Sequence, residues 1–158
     1  MEYKWDKIIY KKPFILIVSC KKNYNRLTIL YEIWLKYCKI PYKIIMGCET
    51  QEENYMVDKD IIYLKCSDSY EALPIKVKLG IFTVNKLYDP DFILKCDDDV
   101  YIKLSLLIDY LSRYRTDYEG VATRLNPYFL SEDKKQFPGL INLKYCGGPL
   151  YFISRKSI

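Results

Sequence analysis

The sequence predicts an α/β domain with a mostly parallel central sheet flanked by helices. Short apolar runs of strand length recur along the chain, amphipathic stretches of helical period lie between them, and no internal repeat or linker breaks the alternation. At 158 residues, half of them apolar, the chain is a single domain of ordinary size with enough material for a core.

Phe14-Ile15-Leu16-Ile17-Val18 has the unbroken apolar character of a strand buried on both faces. From about Tyr24 to Cys38, residues Leu27, Leu30, Tyr31, Trp34 and Cys38 recur at helical spacing. Pro41 stops that helix, and Tyr42 to Met46 form a second short strand ending at Gly47. A polar loop from Glu49 to Asn54 leads to a third strand near Ile61 to Leu64. Pro74 suits a first helical turn, and two apolar stripes follow it: Ile75, Leu79 and Phe82 on one side, Val77, Ile81, Val84 and Tyr88 on the other. Apolar on two sides, this reads as a central, largely buried helix. Phe92-Ile93-Leu94 gives a fourth strand, and Leu104 to Arg113 an amphipathic helix with Leu104, Leu107, Ile108 and Leu111 inward. Gly120 to Thr123, a loop carrying Pro127 and Pro138, and a strand or hairpin through Tyr145 to Ile153 complete the pattern.

Composition narrows the function. The net charge of +5 is scattered rather than gathered in a basic stripe, which argues against nucleic acid as a partner. The longest dense apolar run, Pro13 to Cys20, falls short of the roughly 18 residues of a membrane span, and no cleavage site follows it, so neither a transmembrane segment nor a signal peptide is read. Cysteines stand at positions 20, 38, 48, 66, 96 and 146 with no CxxC pair, the pattern of reduced thiols. A cytoplasmic location follows, or the secretory pathway if the chain is a fragment. There is no histidine, which removes Ser-His-Asp and Cys-His catalysis and histidine-ligated metals from this chain.

In an open α/β sheet, ligands bind beyond the carboxyl ends of the strands, where Ser19, Asp68 and Asp97-Asp98-Asp99 fall. Three adjacent carboxylates repel one another, and a divalent cation relieves the repulsion. In extended backbone Asp97 and Asp99 face the same side and share one hard ion, Mn2+ or Mg2+, with substrate phosphate oxygens completing the shell. A solvated acidic turn is the plain alternative, opposed by the apolar flanks Ile93-Leu94 and Val100-Tyr101-Ile102.

Three segments in order resemble the β-1,3-galactosyltransferase and Fringe-like glycosyltransferases. Asp91-Phe-Ile-Leu-Lys-Cys-Asp-Asp-Asp-Val-Tyr-Ile102 is similar to their DxD segment. Asp68-Ser-Tyr-Glu-Ala-Leu-Pro-Ile-Lys76 resembles their Asp, Tyr, Asn-Leu and Leu-Lys-Thr segment, and Tyr145-Cys-Gly-Gly-Pro-Leu-Tyr-Phe-Ile-Ser-Arg155 their Tyr-x-Gly-Gly strand with its Ser-Arg end. The resemblance implies a GT-A (Rossmann-like) fold and transfer of a hexose from a UDP-sugar to a hydroxyl of a glycan or protein acceptor, with inversion. It implies Asp99 on the metal, Asp97 on the metal or ribose, and Asp98 near the sugar. Ser19 and Arg26 would face the nucleotide, Asp68 the nucleoside, and Lys76 would orient the acidic cluster. Gly147 and Gly148 would admit the transferred sugar. The family pattern departs at Leu30, where a second Arg is expected, and at Val77, where Thr is. The family's acidic Glu-Asp-Val segment beyond the Gly-Gly strand, which holds the base, is not in this sequence. The catalytic base is therefore unassigned, with Glu132 and Asp133 as candidates. A noncatalytic nucleotide-sugar binder and a metal-dependent nucleotidyl or phosphoryl transferase are the rival readings.

Overall fold

The computed structural model describes residues 12–113, 117–124 and 144–158, with side chains described outside 121–124 and 144–147. Its strands are β1 (Pro13–Val18), β2 (Tyr42–Gly47), β3 (Tyr55–Asp58), β4 (Ile61–Leu64), β5 (Phe92–Asp97), β6 (Tyr118–Arg124) and β7 (Lys144–Ser154). Its helices are α1 (Tyr24–Ile33), α2 (Leu73–Tyr88) and α3 (Leu104–Arg113). The strands form one sheet in the order β3-β4-β2-β1-β5-β7-β6. The four central strands β4, β2, β1 and β5 are parallel, and β3, β7 and β6 add antiparallel edges. The expected α/β class holds.

The order of the strands positions the site. From β1 the chain winds outward through β2 to β4, then α2 carries it back across the sheet to β5 on the other side of β1. The winding therefore reverses between β1 and β5, and a crevice opens beyond the carboxyl ends of those strands. Their register sets Val18 beside Asp97, so Ser19 and the acidic triplet emerge together.

Apolar layers cover both faces of the sheet. On one side Ile15, Ile17, Ile44, Met46, Leu94 and Cys96 pack with Leu27, Leu30 and Trp34 and with Leu104, Leu107 and Leu111 of α3. On the other, Phe14, Leu16, Val18, Ile45 and Ile93 pack with Ile81 and Val84 of α2. Gly80 allows the close approach of α2: a Cβ there would lie 2.5 Å from Cδ1 and 3.2 Å from Cγ2 of Ile45.

Three expectations need correction. First, the helix expected over Tyr24 to Cys38 ends at Ile33, and Leu35–Tyr37 form a separate 3-10 turn. The Trp34 backbone leaves the helical region (φ −151°, ψ −33°), which seats its indole in the core and lets Nε1 donate to the Val100 carbonyl at 3.2 Å. Tyr31, which shares the helical spacing of Leu27 and Leu30, is exposed. Second, α2 is buried along one face, through Lys76, Gly80, Ile81, Thr83 and Val84, whereas Ile75 and Phe82 point to solvent. The sheet covers one side only, and of the stripe Ile75, Leu79 and Phe82 it is Leu79 that still packs against the core. Third, β3 is an additional edge strand. Met56, Val57 and Asp58 are exposed and Tyr55 alone of the strand packs on the core, so no alternating buried face marks it in the sequence. The Pro127 and Pro138 loop lies outside the described residues.

The far end of the sheet is tied by Arg155. Its Nε donates to the Pro90 carbonyl at 3.0 Å and its Nη2 to the Asp89 carbonyl at 2.7 Å, with Asp89 Oδ1 at 3.0 Å. Asp89 closes α2 in the left-handed region (φ 47°, ψ 54°), which aspartate tolerates better than most residues. The Ser-Arg end of the third motif thus secures the α2–β5 turn.

Candidate functional site

A cleft of about 610 Å³ opens at the reversal point, walled by Ser19, Asn23, Arg26, Asp68, Lys76 and the triplet Asp97 to Asp99. Seven of the nine sequence-predicted donor and metal residues line it; Gly147 and Gly148 lie along β7 instead.

Asp68 organises one wall. Its Oδ1 accepts from Lys76 Nζ at 2.6 Å and from the Gly47 amide at 2.7 Å, and its Oδ2 accepts from the Lys21 amide at 2.7 Å. Lys76, 2% exposed, donates also to the Ser19 carbonyl at 3.1 Å. Four segments therefore meet on one carboxylate: the β1–α1 loop, the end of β2, the loop after β4, and α2. Burial alone would raise the Asp68 carboxyl, but the bond from Lys76, the two amide donors and the Lys76 charge hold it below the ordinary range. Gly47 is required for this approach. A Cβ there would fall 2.6 Å from the Ser67 carbonyl oxygen and 2.7 Å from the backbone of Asp68.

The acidic triplet is not extended. The Val100 amide donates to the Asp97 carbonyl at 3.3 Å, closing a turn over Asp98 and Asp99. Ile102 enters the core just beyond it, and Trp34 holds the Val100 carbonyl. Asp98 and Asp99 sit in this turn rather than in the strand, so the extended backbone expected through the triplet reaches only as far as Asp97. Asp98 turns inward and is 6% exposed; Ser19 Oγ donates to its Oδ2 at 2.7 Å and Arg26 Nη1 to its Oδ1 at 3.1 Å. Both of its oxygens are engaged within the protein. Asp97 accepts from Lys95 Nζ at 2.5 Å through Oδ1. Burial pushes the Asp97 carboxyl up against the pull of Lys95, and the charges of Asp99 and Asp98 push the same way. Asp99 is 65% exposed, with Arg26 Nη1 at 3.7 Å.

Among the described residues no three ligating groups stand close enough to hold a metal ion by themselves. The donor set is nevertheless hard and anionic, and ions of the magnesium type take one or two carboxylates plus substrate phosphates. Asp97 and Asp99 are the carboxylates of the cleft with oxygens left for such a site.

Gly148 adopts φ +83°, and a Cβ there would meet nothing within 4 Å. Lys95 was not singled out in the sequence, yet a charged residue inside the apolar run Phe92 to Cys96 was a readable signal. The candidate bases Glu132 and Asp133 lie outside the described residues. Cys20, Cys38, Cys48, Cys66 and Cys96 are free thiols, and no helix of the described residues is long and apolar enough to cross a membrane.

An open α/β sheet with a carboxylate-lined cleft at its reversal point is the architecture of a GT-A-like domain. The chain belongs to the galactosyltransferase family, whose family model matches residues 39–158. It is 30% identical over 115 residues to the Arabidopsis thaliana protein named "Probable beta-1,3-galactosyltransferase 13", covering 67% of this chain and 33% of that one. It is 27% identical over 152 residues to the Xenopus laevis "Beta-1,3-N-acetylglucosaminyltransferase radical fringe", covering 92% of this chain and 45% of that one. A 58-residue stretch is 38% identical to "Probable beta-1,3-galactosyltransferase 8" of Arabidopsis thaliana, 37% of this chain and 15% of that protein. The chain spans less than half the length of these relatives.

Proposed function

We propose that the protein is a metal-dependent hexosyltransferase that binds a UDP-sugar in the carboxylate cleft and passes the sugar, with inversion, to a hydroxyl of a glycan or protein acceptor. One observation carries this reading: in a chain of the galactosyltransferase family, Asp97 and Asp99 stand at the reversal point of the sheet with less internal neutralisation than their neighbours Asp68 and Asp98. Carboxylate charge only partly neutralised beside a cleft is what a cation-bound diphosphate needs.

Each neighbour then has a task. Asp97 and Asp99 would hold Mn2+ or Mg2+, which when bound offsets the charge that grows on the diphosphate leaving group. Arg26, about half exposed, extends along the cleft beside Asp99 and offers a second positive group to phosphate. Ser19 and Arg26 fix Asp98 and so hold the turn in shape before the donor arrives. Asp68 and Lys76 fix the loops on the nucleotide side. Gly148 leaves open space at the β7 wall, where the sugar would lie. A carboxylate would take the acceptor's proton as its oxygen attacks the anomeric carbon.

Calorimetric titration with UDP, with and without Mn2+, tests the reading. Wild-type protein is expected to bind UDP only with the metal, and Asp99→Asn to weaken that binding by about tenfold or more. Equal affinity in the two proteins would overturn the metal assignment. A panel of UDP-, GDP- and dTDP-sugars, assayed for sugar release and transfer, then tests the reaction; metal-dependent binding without any turnover would reduce the protein to a donor-binding domain.

A further inference from the structure

Lys95 is a charged side chain in the middle of the sheet. It is 4% exposed, on β5 between the buried residues Leu94 and Cys96. The two-residue period of a strand sets Ile93, Lys95 and Asp97 on the α2 face. Besides the 2.5 Å bond to Asp97 Oδ1, Nζ lies 3.5 Å from the Gly148 carbonyl oxygen and 5.6 Å from the Tyr151 ring centroid. The ammonium is therefore confined between the acidic turn and the Gly148 wall, and a lysine this deep in a sheet needs a counter-charge.

Charges around the turn sum simply. Asp97, Asp98 and Asp99 supply three negative charges, Lys95 and Arg26 two positive ones, leaving a formal −1. One Asp97 oxygen is already occupied. A divalent ion meeting this patch without phosphate finds little net attraction and few free oxygens. Resting on the reading of the cleft as a UDP-sugar and metal site, we infer that Lys95 is an internal counter-ion: it withholds one oxygen of Asp97 from the metal and makes metal retention conditional on the donor's diphosphate. It is a positioning residue, acting on the metal through Asp97.

Removing its charge takes the patch from −1 to −2. Nucleotide-free Mn2+ binding, followed by electron paramagnetic resonance of the free ion, should tighten about tenfold in Lys95→Gln and Lys95→Met. Lys95→Arg should stay near the wild type. A purely structural lysine would not give a gain in metal affinity when removed. Mn2+ binding by the folded neutral variants that is no tighter than wild type would overturn the inference, while Mn2+-dependent UDP binding by wild type keeps the site reading intact. If the neutral variants do not fold, the wild type decides: nucleotide-free Mn2+ should bind at least tenfold more weakly than Mn2+ with UDP, and equal affinities would overturn the inference. A wild type that never binds Mn2+ with UDP overturns the site reading and the inference with it.

Discussion

Two acidic regions face each other across the cleft, and they are built on opposite terms. Asp68 is saturated: Lys76 and two backbone amides use both of its oxygens, and its carboxyl is held low. The flanks of the turn at Asp97 to Asp99 are undersupplied, with Asp97 meeting Lys95 alone among the described residues, Asp99 exposed beside a distant Arg26, and the Asp97 carboxyl pushed up by burial. The first region joins four chain segments and is part of the fold. The second keeps electrostatic capacity in reserve. Acidic residues in one cleft are thus distinguished by what already satisfies them.

The largest effect should come from breaking the saturated side. Lys76→Met leaves the Asp68 carboxylate enclosed without its cation, and a loss of about 3 kcal/mol is expected in chemical denaturation. Gly47→Ala should cost about 2 kcal/mol, because the added methyl meets backbone at 2.6 and 2.7 Å and the loop must move. A loss within experimental error would mean that the loop is free to withdraw and that Asp68 is not a fixed junction.

Acid should unpick the same junction. A carboxyl whose folded pKa is depressed adds stability above its unfolded value and loses it as the pH falls through the folded one. The stability gap between wild type and Asp68→Asn should therefore be full at neutral pH and narrow as the pH is lowered to about 2. A gap that is constant with pH would assign the difference to shape rather than charge. The smallest effect is expected on the undersupplied side: Asp99→Asn should change stability by no more than about 0.5 kcal/mol, since the side chain is exposed and only loosely paired. The same variant should lose metal-dependent UDP binding. A large stability loss would erase the contrast between the two regions.

The sequence made the buried parallel strands legible because continuous apolar runs such as Phe14 to Val18 have few other uses. α3 was equally clear: Leu104, Leu107, Ile108 and Leu111 recur at helical spacing and are all buried, with Leu106 on the exposed side. Where tertiary contacts outweigh local period, the sequence misleads. Trp34 keeps the helical spacing but breaks the helix, because its indole is drawn to the core and to the Val100 carbonyl. Ile75 and Phe82 look like core and are not, since periodicity does not say how many sides of a helix find cover. β3 (Tyr55-Met56-Val57-Asp58) is short and shows no alternation of buried and exposed positions, since Tyr55 alone of its residues packs on the core. At the site, Ser19, Arg26, Asp68, Lys76 and the triplet could be gathered from their places at strand ends, and the structure does bring them to one cleft. Which oxygen meets which donor could not be read, because it depends on the turn at Asp98 and on partners 47 to 79 positions away. Lys95 stands between the two cases: a lysine within the apolar run Phe92 to Cys96 is visible in the sequence, but its contact with the Gly148 carbonyl 53 positions away is not.

Gly148 carries a separate consequence. Its backbone lies in the region that L-residues rarely adopt, yet the space where a side chain would stand is empty. The constraint there is on handedness and not on size. Asparagine, which enters that region more readily than alanine does, should be the better tolerated of the two even though it is bulkier, and the usual rule that smaller is safer is reversed at this point of the chain.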